Sequence, residues 1–360
     1  MNPTYSFTPD PTKSDAENEA ERAAAEAAAF EAQKATLAYG SGKSFVELLG
    51  GTIHYAFGGS NTKGNVRVSA TVKLDEGGTC ELEIGEVYGA GNMATQDGTS
   101  NILLGCVSFL EEMYGGSRDA NINSDIELTI QSGQFHRVFG GNNLGGTISG
   151  TITVNIEETG CHPIIIGQLY GGGNRAAYTG PWIDPSDHSK GRLGPTVNVR
   201  SFSSIGEIYG GGYGESAIIT GNTYVNINEC VGENASIETE SRTINGVSKT
   251  VSQHTGETVT INAGMQDEVE VGIPLHEAGK IGAIGFVYGG GNAAPVYGNT
   301  NITIGTLTKF NYVSIQDDAG TAEDESERDV VGVDIRGNVF GGGNKAEVTG
   351  DTNVVIGKEE

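Results

Sequence analysis

The chain repeats one short motif, an aromatic residue followed by a cluster of glycines and usually by an asparagine. The motif occurs eight times, beginning at Phe57, Tyr88, Tyr114, Phe139, Tyr170, Tyr209, Tyr288 and Phe340. A self-similar unit of this size predicts a stack of one supersecondary module, in which each copy contacts only its neighbours. Because the copies share their chemistry, function is expected where one copy departs from the others.

Between the glycine clusters, apolar residues alternate with polar ones, which is the period of a half-buried β-strand. Val197 and Val225 occupy equivalent positions 28 residues apart, and three short strand-like runs fit into such an interval. This spacing predicts an all-β fold, a right-handed parallel β-helix (β-solenoid) of about eight coils, with a short N-terminal α-helix.

Stacked coils place like residues above like, so the eight aromatic residues are predicted to form one structural ladder. The asparagines of the motif are predicted to form a second ladder, from Asn61, Asn92, Asn143, Asn174, Asn292 and Asn344. The glycines allow tight turns and a close approach of neighbouring coils. The motif lacks the Gly-Lys-Ser/Thr of a phosphate-binding loop, so it is interpreted as structural. His54 and His136 hold matching repeat positions and are interpreted in the same way.

The repeats divide the chain into three parts. Residues 1–13 are predicted to be a disordered tail, and residues 14–40 an Ala/Glu-rich helix that begins with the capping-box residues Ser14 and Glu17. Residues 44–357 are predicted to form the solenoid. Breaks in the repeat spacing place insertions at 178–194, 232–280 and 308–333. Insertions in solenoids often build the binding face.

Composition excludes several classes of partner. The net charge of −25 argues against nucleic acid and anionic membrane surfaces. No apolar run approaches the roughly 20 residues of a membrane span, and no signal peptide is recognisable after Met1. No cofactor or metal site is predicted, since the glycine-rich turns lack the regular Asp of calcium-binding repeats. Buried free thiols are favoured for the four cysteines, with a stacked Cys161–Cys230 pair as the alternative.

One inserted loop carries the candidate site, because it holds the only tryptophan of the chain. The candidate ligand-binding residues are Tyr178, Trp182, Asp184, Asp187 and His188. An exposed aromatic ring beside carboxylates suits a sugar, which stacks its apolar face and hydrogen-bonds through its hydroxyls. Asp184 and Asp187 are also the catalytic candidates, as an acid–base pair for glycoside cleavage. The alternative is a rigid loop whose Trp182 packs back onto the solenoid.

The motif Tyr-Gly-Gly-Gly-Asn at 288–292, followed by Gly-Asn-Thr-x-Ile-x-Ile at 298–304, resembles the repeats of large adhesin-like surface proteins of gut bacteria. Those proteins in turn resemble pectate-lyase-type β-helices, and the resemblance covers about residues 45–357. It implies a cell-surface or extracellular setting and transfers no catalytic residue.

Because the repeat chemistry is nearly uniform and variation is confined to loops, we expect a non-enzymatic adhesion and spacer module. Its inserted loops would bind a glycan or a host surface protein. One alternative is a polysaccharide lyase or glycoside hydrolase, which requires Asp and Glu from neighbouring coils to converge in a groove. Another is a phage tail fibre or spike segment, which would trimerise. The sequence leaves enzymatic activity and oligomeric state open.

Overall fold

The computed structural model describes residues 7–36, 42–76, 82–313 and 325–357, and it separates into two units, Met1–Gly42 and Lys43–Glu360. The first unit contains helix α1, Asp15–Thr36. No helix among the described residues is both long and apolar enough to cross a bilayer.

Helix α1 begins with the capping box that the sequence predicts. The backbone N–H and the hydroxyl of Ser14 donate to the Glu17 carboxylate at 2.9 and 2.6 Å. The N–H of Asp10 donates to Asn18 Oδ1 at 2.7 Å, so the segment before the helix is bonded to its first turn. Residues 1–6 of the predicted tail and 37–40 of the predicted helix lie outside the described residues.

The second unit is built from long parallel sheets, which confirms the predicted all-β class with its parallel strands. The first long sheet contains, in spatial order, β1 (Lys43–Leu48), β3 (Ser69–Leu74), β5 (Thr99–Leu104), β7 (Ile126–Ile130), β9 (Ile152–Glu157), β12 (Leu193–Ser201), β15 (Asn222–Ile227), β22 (Thr300–Ile304) and β26 (Thr352–Ile356).

The second long sheet takes the strands that follow them in the chain. Its spatial order is β2 (Gly51–Phe57), β4 (Leu82–Tyr88), β6 (Phe109–Tyr114), β8 (Gln134–Phe139), β10 (Ile165–Tyr170), β13 (Ser204–Tyr209), β20 (Ala283–Tyr288) and β25 (Val339–Phe340). A short third sheet contains β11 (Tyr178–Thr179), β14 (Ile219–Thr220) and β21 (Val296–Tyr297). The chain therefore alternates between sheets, and each strand pairs with its counterpart in the next repeat.

The register places equivalent apolar residues side by side between repeats. Val197 pairs with Val154 on one side and with Val225 on the other, and Val225 in turn pairs with Ile302. All four side chains are buried in one continuous apolar cluster. Alternation of apolar and polar residues thus decides which face of each strand points into the core.

The insertions form antiparallel hairpins or a short loop. The loop between β11 and β12 covers 180–192, shorter at both ends than the sequence suggests, because Tyr178–Thr179 and Leu193–Gly194 belong to strands. The insertion after β15 contains the hairpins β16 (Thr239–Ile244)–β17 (Val247–Ser252) and β18 (Thr258–Ile261)–β19 (Val269–Gly272). The insertion after β22 contains β23 (Lys309–Val313) and β24 (Glu325–Asp329), and residues 314–324 between them lie outside the described part.

The cysteine expectation is wrong at Cys161, which forms a disulfide with Cys106, whereas Cys230 is a buried free thiol. In the repeat that lies between the two cysteines, a turn of only three residues connects β7 to β8. This short turn does not separate the loops that hold Cys106 and Cys161. The loop before Cys161 packs directly on that turn: the N–H of Gly160 donates to the Gln131 carbonyl at 2.7 Å. Cys80 lies outside the described residues.

Candidate functional site

The loop singled out by its tryptophan does not present an open aromatic surface. Tyr178 is 2% exposed, belongs to the apolar core, and donates its hydroxyl to the Gly150 carbonyl at 2.8 Å. The Trp182 ring stacks on His188 at 3.9 Å between centroids, and the Arg192 guanidinium lies 3.7 Å from the Trp182 ring centre. Two groups this close must occupy opposite faces, so both faces of Trp182 are covered.

The two carboxylates of that loop stabilise its own turns. Asp184 accepts hydrogen bonds from Lys190 Nζ at 2.6 Å and from the Ser186 backbone and hydroxyl. These bonds, led by that of Lys190, lower the pKa of Asp184 to about 2, which is unsuited to a general acid near neutral pH. Asp187 caps the short 3₁₀ helix His188–Lys190 by accepting from the Ser189 N–H. The loop therefore has the geometry of a rigid, internally bonded surface element.

The repeated aromatic residues stack into one column beside the second long sheet. Neighbouring centroids lie 4.7 to 5.0 Å apart, with interplanar angles from 5° to 11°. The rings from Tyr88 to Tyr209 are fully buried, whereas Phe340 at one end is 43% exposed. Parallel in-register strands about 4.8 Å apart impose this spacing.

The asparagines of the motif bond in three pairs, because two copies carry another residue, Arg118 or Tyr213, at this position. The donor–acceptor pairs are Asn92–Asn61 at 2.8 Å, Asn174–Asn143 at 3.0 Å and Asn344–Asn292 at 3.0 Å. Where the series is interrupted, an asparagine reaches a tyrosine hydroxyl two copies away. Asn143 donates to Tyr88 Oη at 2.6 Å, and Asn292 donates to Tyr170 Oη at 3.5 Å.

A second column of polar side chains lies two residues before the aromatics. In three copies it is a glutamate whose carboxylate accepts a hydrogen bond from the hydroxyl of the tyrosine two residues on: Glu86 from Tyr88, Glu112 from Tyr114 and Glu207 from Tyr209. In the fourth copy the same position is Arg137, which the strand register places beside Glu112. Arg137 therefore departs from the glutamate found at this position in three other copies, and it is not among the candidate residues identified from the sequence above.

Arg137 is a buried cation with unused hydrogen-bonding capacity. It is 3% exposed, and its Nε and Nη2 both donate to Glu112 Oε1, the former at 2.7 Å. Nη2 also contacts Asn262 Oδ1 at 3.3 Å. Its Nη1 is buried and has no hydrogen-bond partner among the described residues. An unsatisfied buried guanidinium nitrogen is costly, so this atom requires an explanation.

The hairpin β18–β19 packs on the second long sheet where that sheet has glycines. A Cβ on Gly206 would lie 2.6 Å from Val271 Cγ1, and one on Gly167 would lie 3.4 Å from Ile261 Cδ1. These glycines therefore leave room for the hairpin. The equivalent positions on the two preceding repeats are Glu111 and His136, and both of these side chains line a groove beside the hairpin.

The groove is a cavity of about 460 Å³ between the hairpin and the second long sheet. This volume lies in the range of small-ligand sites. Its charged lining comprises four carboxylates and three guanidinium groups, from Glu86, Glu111, Glu112, Asp267, Arg118, Arg137 and Arg175. Asn143 and Asn174 contribute amides, and the Asn174 Oδ1 is buried without a partner among the described residues. The exposed side chains of Leu144 and Met265 supply apolar surface.

Burial sets the protonation of several groups in the groove. It raises the pKa of Glu86, and the nearby charge of Glu112 adds to that rise, while the hydrogen bond from Tyr88 opposes it. Burial also raises the pKa of Tyr88 and Tyr114, so both hydroxyls remain donors. It lowers the pKa of His136, whose imidazole is therefore neutral near pH 7. The groove can thus offer both hydrogen-bond donors and acceptors.

The signal for this groove is present in the sequence, at the position two residues before each aromatic. Three copies have glutamate there, one has Arg137, and the other four have Tyr55, Gln168, Phe286 and Asn338. The role of the hairpin has no such signal, since Asn262 reaches Arg137 across 125 residues of chain. Comparison of the chain with protein-family models, with curated proteins and with solved structures finds no match.

Proposed function

We propose that residues 43–357 form a right-handed β-solenoid of about eight coils that acts as an adhesion and spacer module. We further propose that it binds a glycan in the groove between the second long sheet and the hairpin β18–β19. The observation that carries the proposal is the buried, unpartnered Nη1 of Arg137 at the groove, together with the unpartnered Oδ1 of Asn174. The two atoms are a donor and an acceptor in the lining of one groove, and a sugar hydroxyl both accepts and donates.

The mixed chemistry of the groove favours a sugar over other ligands. Guanidinium groups, carboxylates and amides offer hydrogen bonds to hydroxyls, while Leu144 and Met265 offer apolar contact to a ring face. The near balance of charged groups in the groove and the net charge of −25 disfavour a polyanion such as nucleic acid. A glycan therefore fits this lining better than a phosphate-rich partner does.

Two observations support a cell-surface or extracellular setting. The Cys106–Cys161 disulfide is typical of oxidising compartments. The repeats also resemble those of adhesin-like bacterial surface proteins, as described above. A module in this setting meets plant, mucin or bacterial polysaccharides, which sets the panel for the experiment.

The test is binding of the purified chain to immobilised plant, mucin and bacterial polysaccharides, with two variants. Arg137→Lys keeps a cation beside Glu112 but removes the free Nη1, and we expect it to weaken binding by about tenfold or more. Trp182→Ala removes the ring of the 180–192 loop and should leave binding unchanged. Thermal unfolding of each variant checks that it is folded.

Two results would contradict the proposal. One is failure of the unmodified chain to bind any polysaccharide in the panel. The other is loss of binding in Trp182→Ala with retention in folded Arg137→Lys, which would move the site to the loop.

A further inference from the structure

Two carboxylates in the groove lie directly opposite each other on neighbouring strands. Glu86 on β4 is the register partner of Glu112 on β6, and both side chains line the same cavity. Adjacent strands are about 4.8 Å apart, so side chains that leave the sheet in the same direction keep about that separation. Carboxyl groups about 5 Å apart are the arrangement of glycosidases that retain the anomeric configuration.

The two carboxylates have different surroundings. Glu112 is almost fully buried, forms an ion pair with Arg137 and accepts a hydrogen bond from the Tyr114 hydroxyl. Glu86 is half-buried and accepts from the Tyr88 hydroxyl and from Asn143 Nδ2 at 3.4 Å. Among the hydrogen bonds of the described residues, no lysine or arginine donates to Glu86. Burial raises the pKa of Glu86, with the charge of Glu112 adding to the rise and the Tyr88 hydrogen bond and the charges of Arg118 and Arg137 opposing it. Glu112 thus has a cationic partner that Glu86 lacks among these hydrogen bonds, and unlike surroundings of two facing carboxyls are the arrangement that assigns them different roles.

The third glutamate of the column, Glu207, shows that a glutamate–tyrosine contact by itself has a structural role. Glu207 accepts from Tyr209 at 2.9 Å, as Glu86 does from Tyr88. Its neighbours on the adjoining strands are Gln168 and Phe286, so no carboxylate faces it. Glu207 also lies outside the lining of the cavity. The facing pair of carboxylates is therefore specific to the groove.

We propose that the groove hydrolyses a glycosidic bond with retention of configuration, with Glu86 as the catalytic acid–base and Glu112 as the nucleophile. This inference rests on the proposed glycan binding in the same groove. Tyr88 and Tyr114 orient the two carboxyl groups, and Arg137 holds Glu112 in place while its free Nη1 contacts a hydroxyl of the bound sugar.

The reaction has two steps. In the first, Glu86 gives its proton to the glycosidic oxygen as the bond from that oxygen to the anomeric carbon breaks. A carboxylate oxygen of Glu112 forms an ester bond to the same carbon. In the second step, the Glu86 carboxylate takes a proton from a water molecule, whose oxygen attacks the anomeric carbon and displaces Glu112. Both carboxyl groups return to their starting states, and one water molecule is consumed for each bond cleaved.

The experiment incubates the full chain with each polysaccharide of the binding panel and with a set of 4-nitrophenyl α- and β-glycosides. Binding and release of new reducing ends are recorded on the same samples. We expect cleavage of at least one substrate, with a loss of about 10²-fold or more in Glu86→Gln. Glu207→Gln is the matched control, because it alters the same glutamate–tyrosine contact outside the groove, and it should retain full activity.

A chemical readout separates catalysis from a structural role. In Glu86→Ala, added azide should restore turnover and give a glycosyl azide of retained configuration. An activated 2-deoxy-2-fluoroglycoside of the cleaved sugar should leave a covalent adduct on Glu112, seen by peptide mass spectrometry. These readouts need only the unmodified chain and Glu86→Ala, so they do not depend on the folding of any variant at Glu112.

The outcomes distinguish this inference from the proposed function. Binding of a glycan without cleavage of any substrate overturns the catalytic inference and leaves the binding groove standing. Equal loss of activity in Glu86→Gln and Glu207→Gln also overturns it. Absence of both binding and cleavage overturns the two proposals together.

Discussion

Replacing Phe139 by alanine should destabilise the protein about twice as much as the same replacement at Phe340. Both residues belong to the aromatic column and undergo the same chemical change. A comparison of the two variants therefore isolates the effect of position in the stack on stability. Phe139 is fully buried and stacks on Tyr114 at 4.8 Å and on Tyr170 at 4.9 Å. Phe340 is 43% exposed and stacks on one ring, that of Tyr288, at 5.0 Å.

The magnitudes follow from burial and from the number of stacked neighbours. Truncation of a fully buried phenylalanine to alanine costs about 4 kcal/mol of unfolding free energy. Phe340 retains a little over half of that burial and has one stacked neighbour in place of two, each worth about 1 kcal/mol, so its truncation should cost about 2 kcal/mol. The difference of about 2 kcal/mol corresponds to a roughly 30-fold change in the folding equilibrium.

The assay is urea unfolding followed by far-ultraviolet circular dichroism, with linear extrapolation to water for both variants. Phe139→Leu serves as a third variant, since it keeps most of the apolar volume and loses the ring, and it should cost about 1 to 2 kcal/mol. Equal losses in the two alanine variants would refute the reasoning, because burial and stacking would then not govern the contribution of a ring.

Two further predictions concern groups outside the groove. The disulfide closes a separation of 55 residues, so Cys106→Ser should lower stability by about 4 kcal/mol, and a reductant should destabilise the unmodified chain but not the variant. Burial raises the pKa of Glu158 from 4.5 to about 7, so the folded state keeps a proton that the unfolded state has lost. This carboxyl therefore lowers stability as pH rises through that window, by about 3 kcal/mol in all. Unfolding midpoints at about pH 5 and about pH 8 should differ less in Glu158→Gln than in the unmodified chain, and equal pH dependence would contradict the assignment.

The repeat motif was sufficient to predict the elements that each copy forms for itself. Alternation places Val197 and Val225 in the core because a strand has only two faces. The spacing of equivalent residues likewise predicts which aromatic lies beside which. These inferences work because neighbouring repeats contact each other through identical positions, so that the sequence of one copy predicts its environment.

The insertions escape this reasoning because no repeat constrains them. Nothing in the sequence of the β18–β19 hairpin indicates that it packs over Gly167 and Gly206, more than 50 residues away in the chain. Composition makes the loop around Trp182 a candidate site, yet His188 and Arg192 cover the two faces of the Trp182 ring. Composition identifies chemically capable side chains, whereas only their contacts reveal which of them remain available.

The disulfide was missed for a related reason. Cys161 and Cys230 follow similar strands, which made them the natural pair in sequence. The three-residue turn between β7 and β8 instead leaves the loops of Cys106 and Cys161 in contact across it. Which cysteines can form a cross-link between repeats therefore depends on the length of the loops in the copies between them. It depends less on whether the two cysteines follow equivalent strands.

The glycines under the hairpin have a consequence for how such a protein can diversify. One wall of the groove is formed by the repeated strands of the second long sheet, and the other is carried by a single segment, 228–282, that lies between β15 and β20. Exchange of that segment would present new side chains to Arg137 and Glu112 without altering the strands of the two long sheets. Selectivity could then evolve, or be engineered, as an interchangeable part, provided that Gly167 and Gly206 stay free of side chains.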